Sequence, residues 1–326
     1  MDVSWYAWFA VIAVIAIALA ADLLLFHRHA HEVSVREAAV TSAGWILAGL
    51  GFGVIVWLAW GHAPAAEYFS GYLIEKSLSV DNIFIMASLL GNFAVASRDR
   101  HRVLFWGVVG ALLLRGLLIG TAVPLLKTFH WAIYALGAGL ILSGIRMATH
   151  HQVDMHPDEN PVLRRLGRVV PCTPHHDGQK LFTRREGRVM ATPLFAALVA
   201  VEATDIVFAT DSIPAIFSVT DEPFLIFTSN AFAILGMRAL YFCLAGSVER
   251  FRYLRQGLAI ILTFVGTKMV LSMIVHVPTV GSLGVIGAVL TISIGASIYA
   301  DRREQSRHSA RTDFAVHAQA RPESRL

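Results

Sequence analysis

Charge is scarce in this chain. Only 15% of its 326 residues are Asp, Glu, Lys or Arg, while 56% are hydrophobic and the mean hydropathy is +0.59. Soluble domains run near ~25% charged, so the shortage excludes an ordinary soluble fold and implies a polytopic membrane protein. Cysteine is nearly absent. Cys172 falls in a polar loop and Cys243 in an apolar run, so no disulfide framework is expected, only two free thiols. No Cys–His set with zinc spacing lies inside the apolar runs, which argues against a soft-metal site there. Neither a nucleophile–base pair nor a nucleotide motif is evident, so no enzyme and no permanently bound cofactor is expected. The pI near 9.3 does not indicate nucleic-acid binding, because the basic residues sit in short connectors between apolar runs. The first segment also lacks the basic start of a signal peptide. Only Asp2 precedes Trp5 and the run continues to Phe26, so Ala18-Leu19-Ala20 reads as part of a retained helix rather than a cleavage site.

What the chain does have is long apolar runs. Those of about 20 residues, enough for a ~30 Å hydrocarbon core, fall near 4–26, 41–60, 66–92, 103–126, 129–149, 192–219, 224–246, 256–276 and 279–300. The expected fold is therefore all-α, a polytopic membrane helix bundle of about nine spans. Alternate connectors hold 21 of the 27 Lys and Arg residues, and the opposite connectors hold only Lys127. The positive-inside rule then puts the N-terminus outside and the C-terminus in the cytosol. The other five (Lys76, Arg115, Arg146, Arg238 and Lys268) lie within spans.

Two apolar segments carry the same acidic cassette. Glu75-Lys-Ser-Leu-Ser-Val-Asp81-Asn82-Ile83 and Asp205-Ile-Val-Phe-Ala-Thr-Asp211-Ser212-Ile213 both place an acid six residues before Asp, followed by a small polar residue and Ile. Each unpaired charge there costs ~2.5–3.5 kcal/mol on the mildest insertion scale. Further matches follow in order: Arg115 in span four with Arg238 in span seven, then Gly144-Ile-Arg146-Met147 with Gly266-Thr-Lys268-Met269. Spans three to five (repeat A, 66–149) thus match spans six to eight (repeat B, 192–276). A unit with an odd number of spans must be inverted in its second copy, and such inverted three-helix repeats place a site near the midplane. Residues 1–300 form the transport domain, with a cytosolic loop at 150–191. Residues 301–326, charged and without apolar periodicity, read as a disordered cytosolic tail.

Glu75, Asp81, Glu202, Asp205 and Asp211, together with Asn82, Ser212 and Asn230, are the candidate site. Helical spacing gives Glu75 a face shared with Ser79 and Asn82, and Asp205 a face shared with Glu202 and Ser212. Asp81 and Asp211 point elsewhere unless the backbone departs from helix. Pro214 cannot donate to the carbonyl of Thr210, so a break beside Asp211 is expected. Oxygen ligands of this kind suit hard cations such as Mg²⁺, Ca²⁺ and Mn²⁺, and protonating the carboxylates would release the ion, giving a proton-coupled exchanger. The plainer alternative is charge pairing, with Arg115, Arg238 and Lys268 neutralising the acids or gating access. Lys76 reads as charge balance, Arg146 as an interfacial residue and Glu67 as a residue of the outer mouth. In the loop, His150, His151, His156, Asp158, Glu159, Cys172, His175, His176 and Asp177 match no zinc template, and a solvated loop is the simpler reading.

The cassettes resemble those of the TerC/Alx family of integral membrane proteins, within the wider LysE-like transporter group. The resemblance rests on Glu75 to Asn82, on Val201-Glu202-Ala-Thr-Asp205 through Ala215, on Thr228-Ser-Asn230 through Phe242, and on Glu159-Asn-Pro-Val-Leu-Arg164. It covers roughly 35–300. It implies a bacterial inner-membrane protein linked to manganese export and historically associated with tellurite resistance, with Glu75, Asp81, Asn82, Asp205, Asp211 and Ser212 in the family's acidic motifs. Tellurite is an oxyanion that a carboxylate site repels, so that phenotype is read as indirect, through metal homeostasis. The leading expectation is a secondary transporter exporting Mn²⁺ or a similar hard divalent cation against protons. A membrane scaffold or assembly factor in a stress or metallation complex is the alternative, and amino-acid export a weaker third. The expected partners are the bilayer, a divalent cation and protons. Homo-oligomerisation and stress-complex partners are left open.

Overall fold

In the computed structural model, residues 3–26, 34–93, 95–129, 131–149, 178, 180–185, 188–244, 253–271 and 279–319 are described. They form α1 (Trp5–Phe26), α2 (Val35–Trp60), α3 (His62–Asn92), α4 (Ser97–Thr128), α5 (Ala132–Thr149), a hairpin β1 (Phe182–Arg185) and β2 (Arg188–Ala191), α6 (Pro193–Phe217), α7 (Pro223–Leu235), α8 (Met237–Leu244), α9 (Leu254–Val270) and α10 (Thr279–Gln319). Among the described residues every predicted apolar run contains a helix, with α7 and α8 sharing one run interrupted at Gly236. Six described segments are long and apolar enough to cross a membrane, in α1, α2, α4, α6, α7–α8 and α10, while the apolar parts of α5 and α9 are shorter. The exception is α3, whose 31 residues include Glu67, Glu75, Lys76 and Asp81.

The outer surface fits lipid. Ile12, Leu58 and Ile292 stand outward on α1, α2 and α10, a distribution that would be costly in water but not against acyl chains. Several buried hydroxyls bond back along their own helices. Thr204 donates to the carbonyl of Ala200 at 2.8 Å and Thr228 to that of Phe224 at 2.7 Å, so these polar groups need no water.

The centre is formed by α3, α4, α6 and α7. Here α3 packs on α7 and on α6, α4 packs on α6, and α5 pairs with α9. The α5–α9 seam is reciprocal under the repeat register. Gly266 corresponds to Gly144, 122 positions earlier, and Ala259 corresponds to Gly137. A Cβ on Gly266 would come 2.6 Å from the carbonyl oxygen of Gly137, and one on Gly144 would come 2.8 Å from that of Ala259. When one residue meets its partner's counterpart and the converse also holds, the contact is that of a two-fold interface.

One expectation is corrected. The helix is not broken at Pro214: α6 runs on to Phe217. Proline lies in the last turn, where losing a single amide donor is tolerated, and the Ser218 amide already caps the Pro214 carbonyl at 3.1 Å. A one-residue interruption falls at Gly236, between α7 and α8, with the backbone still in the right-handed helical region. Beyond its apolar run α10 extends to Gln319, across residues 301–319, which hold four Arg and three Ala and no Gly or Pro. The end of the 150–191 loop is also ordered. It forms the hairpin, tied to α6 through the Phe182–Phe195 ring contact at 4.5 Å and through Thr192, which donates to the Lys180 carbonyl at 2.7 Å.

Candidate functional site: an arginine held between two buried carboxylates

Mid-helix positions of four helices converge on one side chain. Arg115 of α4 is 2% exposed and makes a fork onto Asp205 of α6, with Nε donating to Oδ2 at 3.0 Å and Nη2 to Oδ1 at 2.8 Å. Its Nη1 donates to Glu75 of α3 and lies 3.4 Å from both Ser212 Oγ and Asn230 Oδ1. Asn230 of α7 donates to the second oxygen of Glu75 at 3.2 Å. Glu75, Asp205, Ser212 and Asn230 are all buried. A planar guanidinium is suited to this, because its fixed N–H donors can serve two carboxylates at once.

The antiparallel course of α3 and α6 explains the meeting. Thr220, just beyond α6, donates to Glu67 Oε2 at 2.7 Å, and Gly71 sits beside Ile216. Continuing that register one turn puts Glu75 level with Ser212, and Arg115 touches both.

Glu202 stands one turn before Asp205, within electrostatic reach of it. Its Oε2 is buried without a hydrogen-bond partner, as is Ser79 Oγ, one turn beyond Glu75. Gly110 of α4 lies so near that a Cβ there would fall on the Glu202 carboxylate. Lys76 is within electrostatic reach of Glu75, but its ammonium donates to the Ala233 carbonyl at 3.2 Å, near the C-terminal end of α7. That placement matches a cation to the negative end of a helix. Three carboxyl groups, those of Glu75, Asp205 and Glu202, thus stand near two bases, Arg115 and Lys76.

The remaining candidates are dispersed. Asp211 points away from Arg115 and accepts a bond from Ser143 of α5 at 2.9 Å. Asn82 is buried on the Glu75 face of α3. The side chain of Asp81 and the His-rich stretch with Cys172 lie outside the described residues. Lys268 donates to Ser282 of α10 at 2.9 Å, at the Glu67 end of the bundle. Arg238 does not join Arg115 on the acids; its ion pair is with Asp22 of α1. Asp22 was not among the sequence candidates. Its signal was an acid near the end of an otherwise apolar span, and no local pattern connects it to a residue 216 positions away.

Among the described residues no three His, Cys, Asp or Glu side chains gather as a metal cluster. The carboxylates instead share a protein-borne cation.

Residues 60–305 match the family described as integral membrane protein TerC family. An uncharacterized membrane protein of Myxococcus xanthus is 47% identical over 90% of this chain and 91% of its own. Proteins named membrane-bound redox modulator Alx, from Shigella flexneri and Escherichia coli K12, are each 42% identical over 85% of this chain and 89% of theirs. No solved structure matches.

Proposed function

This chain belongs to the TerC family of integral membrane proteins, and from that premise we propose that it is a secondary transporter exporting a hard divalent cation, Mn²⁺ first, from the cytosol. The observation that carries the reading is the Arg115 site: two buried carboxylates, an amide and a hydroxyl meeting mid-helix on four helices, with the Glu202 carboxyl group one turn away. Oxygen donors of this type suit Mn²⁺ and Mg²⁺ rather than soft metals.

In this arrangement Arg115 occupies the place of the cargo. Charge neutrality in a low-dielectric interior requires some cation there at all times. A divalent ion reaching Glu75, Asp205 and the unpartnered Glu202 oxygen displaces the guanidinium, and the guanidinium returns when the ion leaves. Protons on the carboxylates are the natural coupling ion, since they too compete with the metal for the same oxygens. The basic connectors support an orientation with the N-terminus outside and the C-terminus in the cytosol, and the family resemblance supports a bacterial inner membrane. No catalytic chemistry and no resident cofactor is assigned.

A second reading, that of a membrane scaffold or assembly factor in a stress complex, is favoured by the same fork. Arg115 satisfies both carboxylates, as a purely structural network would. Manganese uptake into inverted membrane vesicles separates the two, with wild type compared to Glu75→Gln at matched insertion. Uptake by wild type that is lost in the variant supports export through the acidic pathway. No uptake by well-inserted wild type, with or without a pH gradient, supports the scaffold.

A further inference from the structure

The two repeats correspond in sequence and differ in charge pairing. In the repeat register Glu75 corresponds to Asp205 and Arg115 corresponds to Arg238. Arg115 reaches across to Asp205 of the other repeat. A strict two-fold would then carry Arg238 across to Glu75, and the α5–α9 seam shows that the backbone does keep such reciprocity. Arg238 instead pairs with Asp22, on a helix outside both repeats, and the hydrogen bonds of Glu75 go to Arg115 and Asn230.

The element that breaks the symmetry is visible. Gly236 ends α7 two residues before Arg238, whereas its counterpart Leu113 lies inside the uninterrupted α4. At that interruption the backbone is in close approach to α2 and α3. A Cβ on Gly236 would stand 2.9 Å from Lys76 Nζ and 2.9 Å from Trp45 Cβ. The segment that carries Arg238 starts directly after this interruption, and Asp22, itself buried, receives the guanidinium.

We propose that Asp22 is the parking partner of Arg238, and that the two arginines alternate on one pair of acids. In the present state Arg115 holds Glu75 and Asp205 while Asp22 holds Arg238. In the other state the repeats exchange roles: Arg238 leaves Asp22 for Asp205 and Glu75, and Arg115 yields them. Asp22 is thus a positioning residue, which touches no cargo and sets the balance between the two states. The inference rests on the transporter reading for its purpose, but its geometry can be tested without transport.

The test uses the full chain in lipid nanodiscs, with spin labels on native Cys243 of α8 and on Ala20→Cys of α1, in a Cys172→Ser background. Distance distributions are recorded with and without Mn²⁺. Wild type should show a main population, and Asp22→Asn should enlarge a second, longer one by about tenfold relative to the first. The exchange of charges, Asp22→Arg with Arg238→Asp, restores the pair but removes the arginine that the second state needs. It should keep the main population alone, unmoved by Mn²⁺, and it also shows that the altered site still folds. An Asp22→Asn distribution that superimposes on wild type overturns the proposal, as does a charge exchange with the same distribution as Asp22→Asn. Failure of the transporter reading would look different: wild-type vesicles would take up no manganese while the Asp22→Asn distance still shifted.

Discussion

Neutralising the Arg115 fork from both sides separates cargo binding from structural pairing. Asp205 and Arg115 are each 2% exposed at the side chain, so neither charge can turn to solvent. Removing one partner of a buried pair costs about 3–5 kcal/mol when the other is left alone. In Asp205→Asn, Arg115 keeps its bond to Glu75, so about half that, ~2 kcal/mol, is the better expectation. At ~2–4 °C per kcal/mol, that is a fall of about 4–8 °C in the melting temperature of the detergent-purified protein. Adding Arg115→Gln removes the stranded guanidinium and leaves Glu75 with Asn230 and with Lys76 in electrostatic reach. The double variant should therefore recover about 1–2 kcal/mol of the loss, a coupling normal for residues in direct contact. Manganese uptake is then measured on the same two variants in inverted vesicles. If the acids carry cargo, the double variant is stable and still transports nothing, because a ligand is missing. A double variant that takes up manganese at the wild-type rate would refute the reasoning and leave Glu75 and Asp205 as mere partners of arginine.

Gly266→Ala should lower the melting temperature by several degrees, because its new methyl group meets the Gly137 carbonyl and the Ile141 amide, and backbone cannot step aside; overpacking of this kind costs about 1–3 kcal/mol. Gly287→Ala, with open space around the added group, is the matched control, and equal melting of the two would show that the α5–α9 seam is loose. Ser143→Ala removes the hydrogen bond that Asp211 accepts, worth about 1 kcal/mol. Its effect should fall on the manganese uptake rate more than on melting, and an unchanged rate would put Asp211 outside the pathway.

The helices were legible because each is specified locally. Apolar run length marks a span, and the places of Glu75 and Asp205 on their buried faces follow from 3.6-residue periodicity alone. The hairpin at Phe182–Ala191 was missed because four-residue strands among basic and polar residues carry almost no periodic signal. The interruption at Gly236 was missed for a different reason. One glycine in an apolar run is usually tolerated, and what singles this one out is Lys76 and Trp45 pressing on it from helices remote in sequence. Pro214 misled in the opposite sense, since its effect depends on where the helix ends.

By itself the sequence determined that this is an all-α membrane protein, that it holds a repeat with two acidic cassettes, and which charged residues must find partners in an apolar interior. Composition and spacing suffice for that, because burial of a charge has the same cost wherever its partner lies. Which partner it finds was decided by the tertiary structure alone. Arg115 meets Glu75 and Asp205 from 40 and 90 residues away, and Arg238 meets Asp22 from 216. With Asp22 counted, six acids and five bases allow many pairings, and only the packing of α3 on α6, α4 beside them and α1 outside the repeat selects this one.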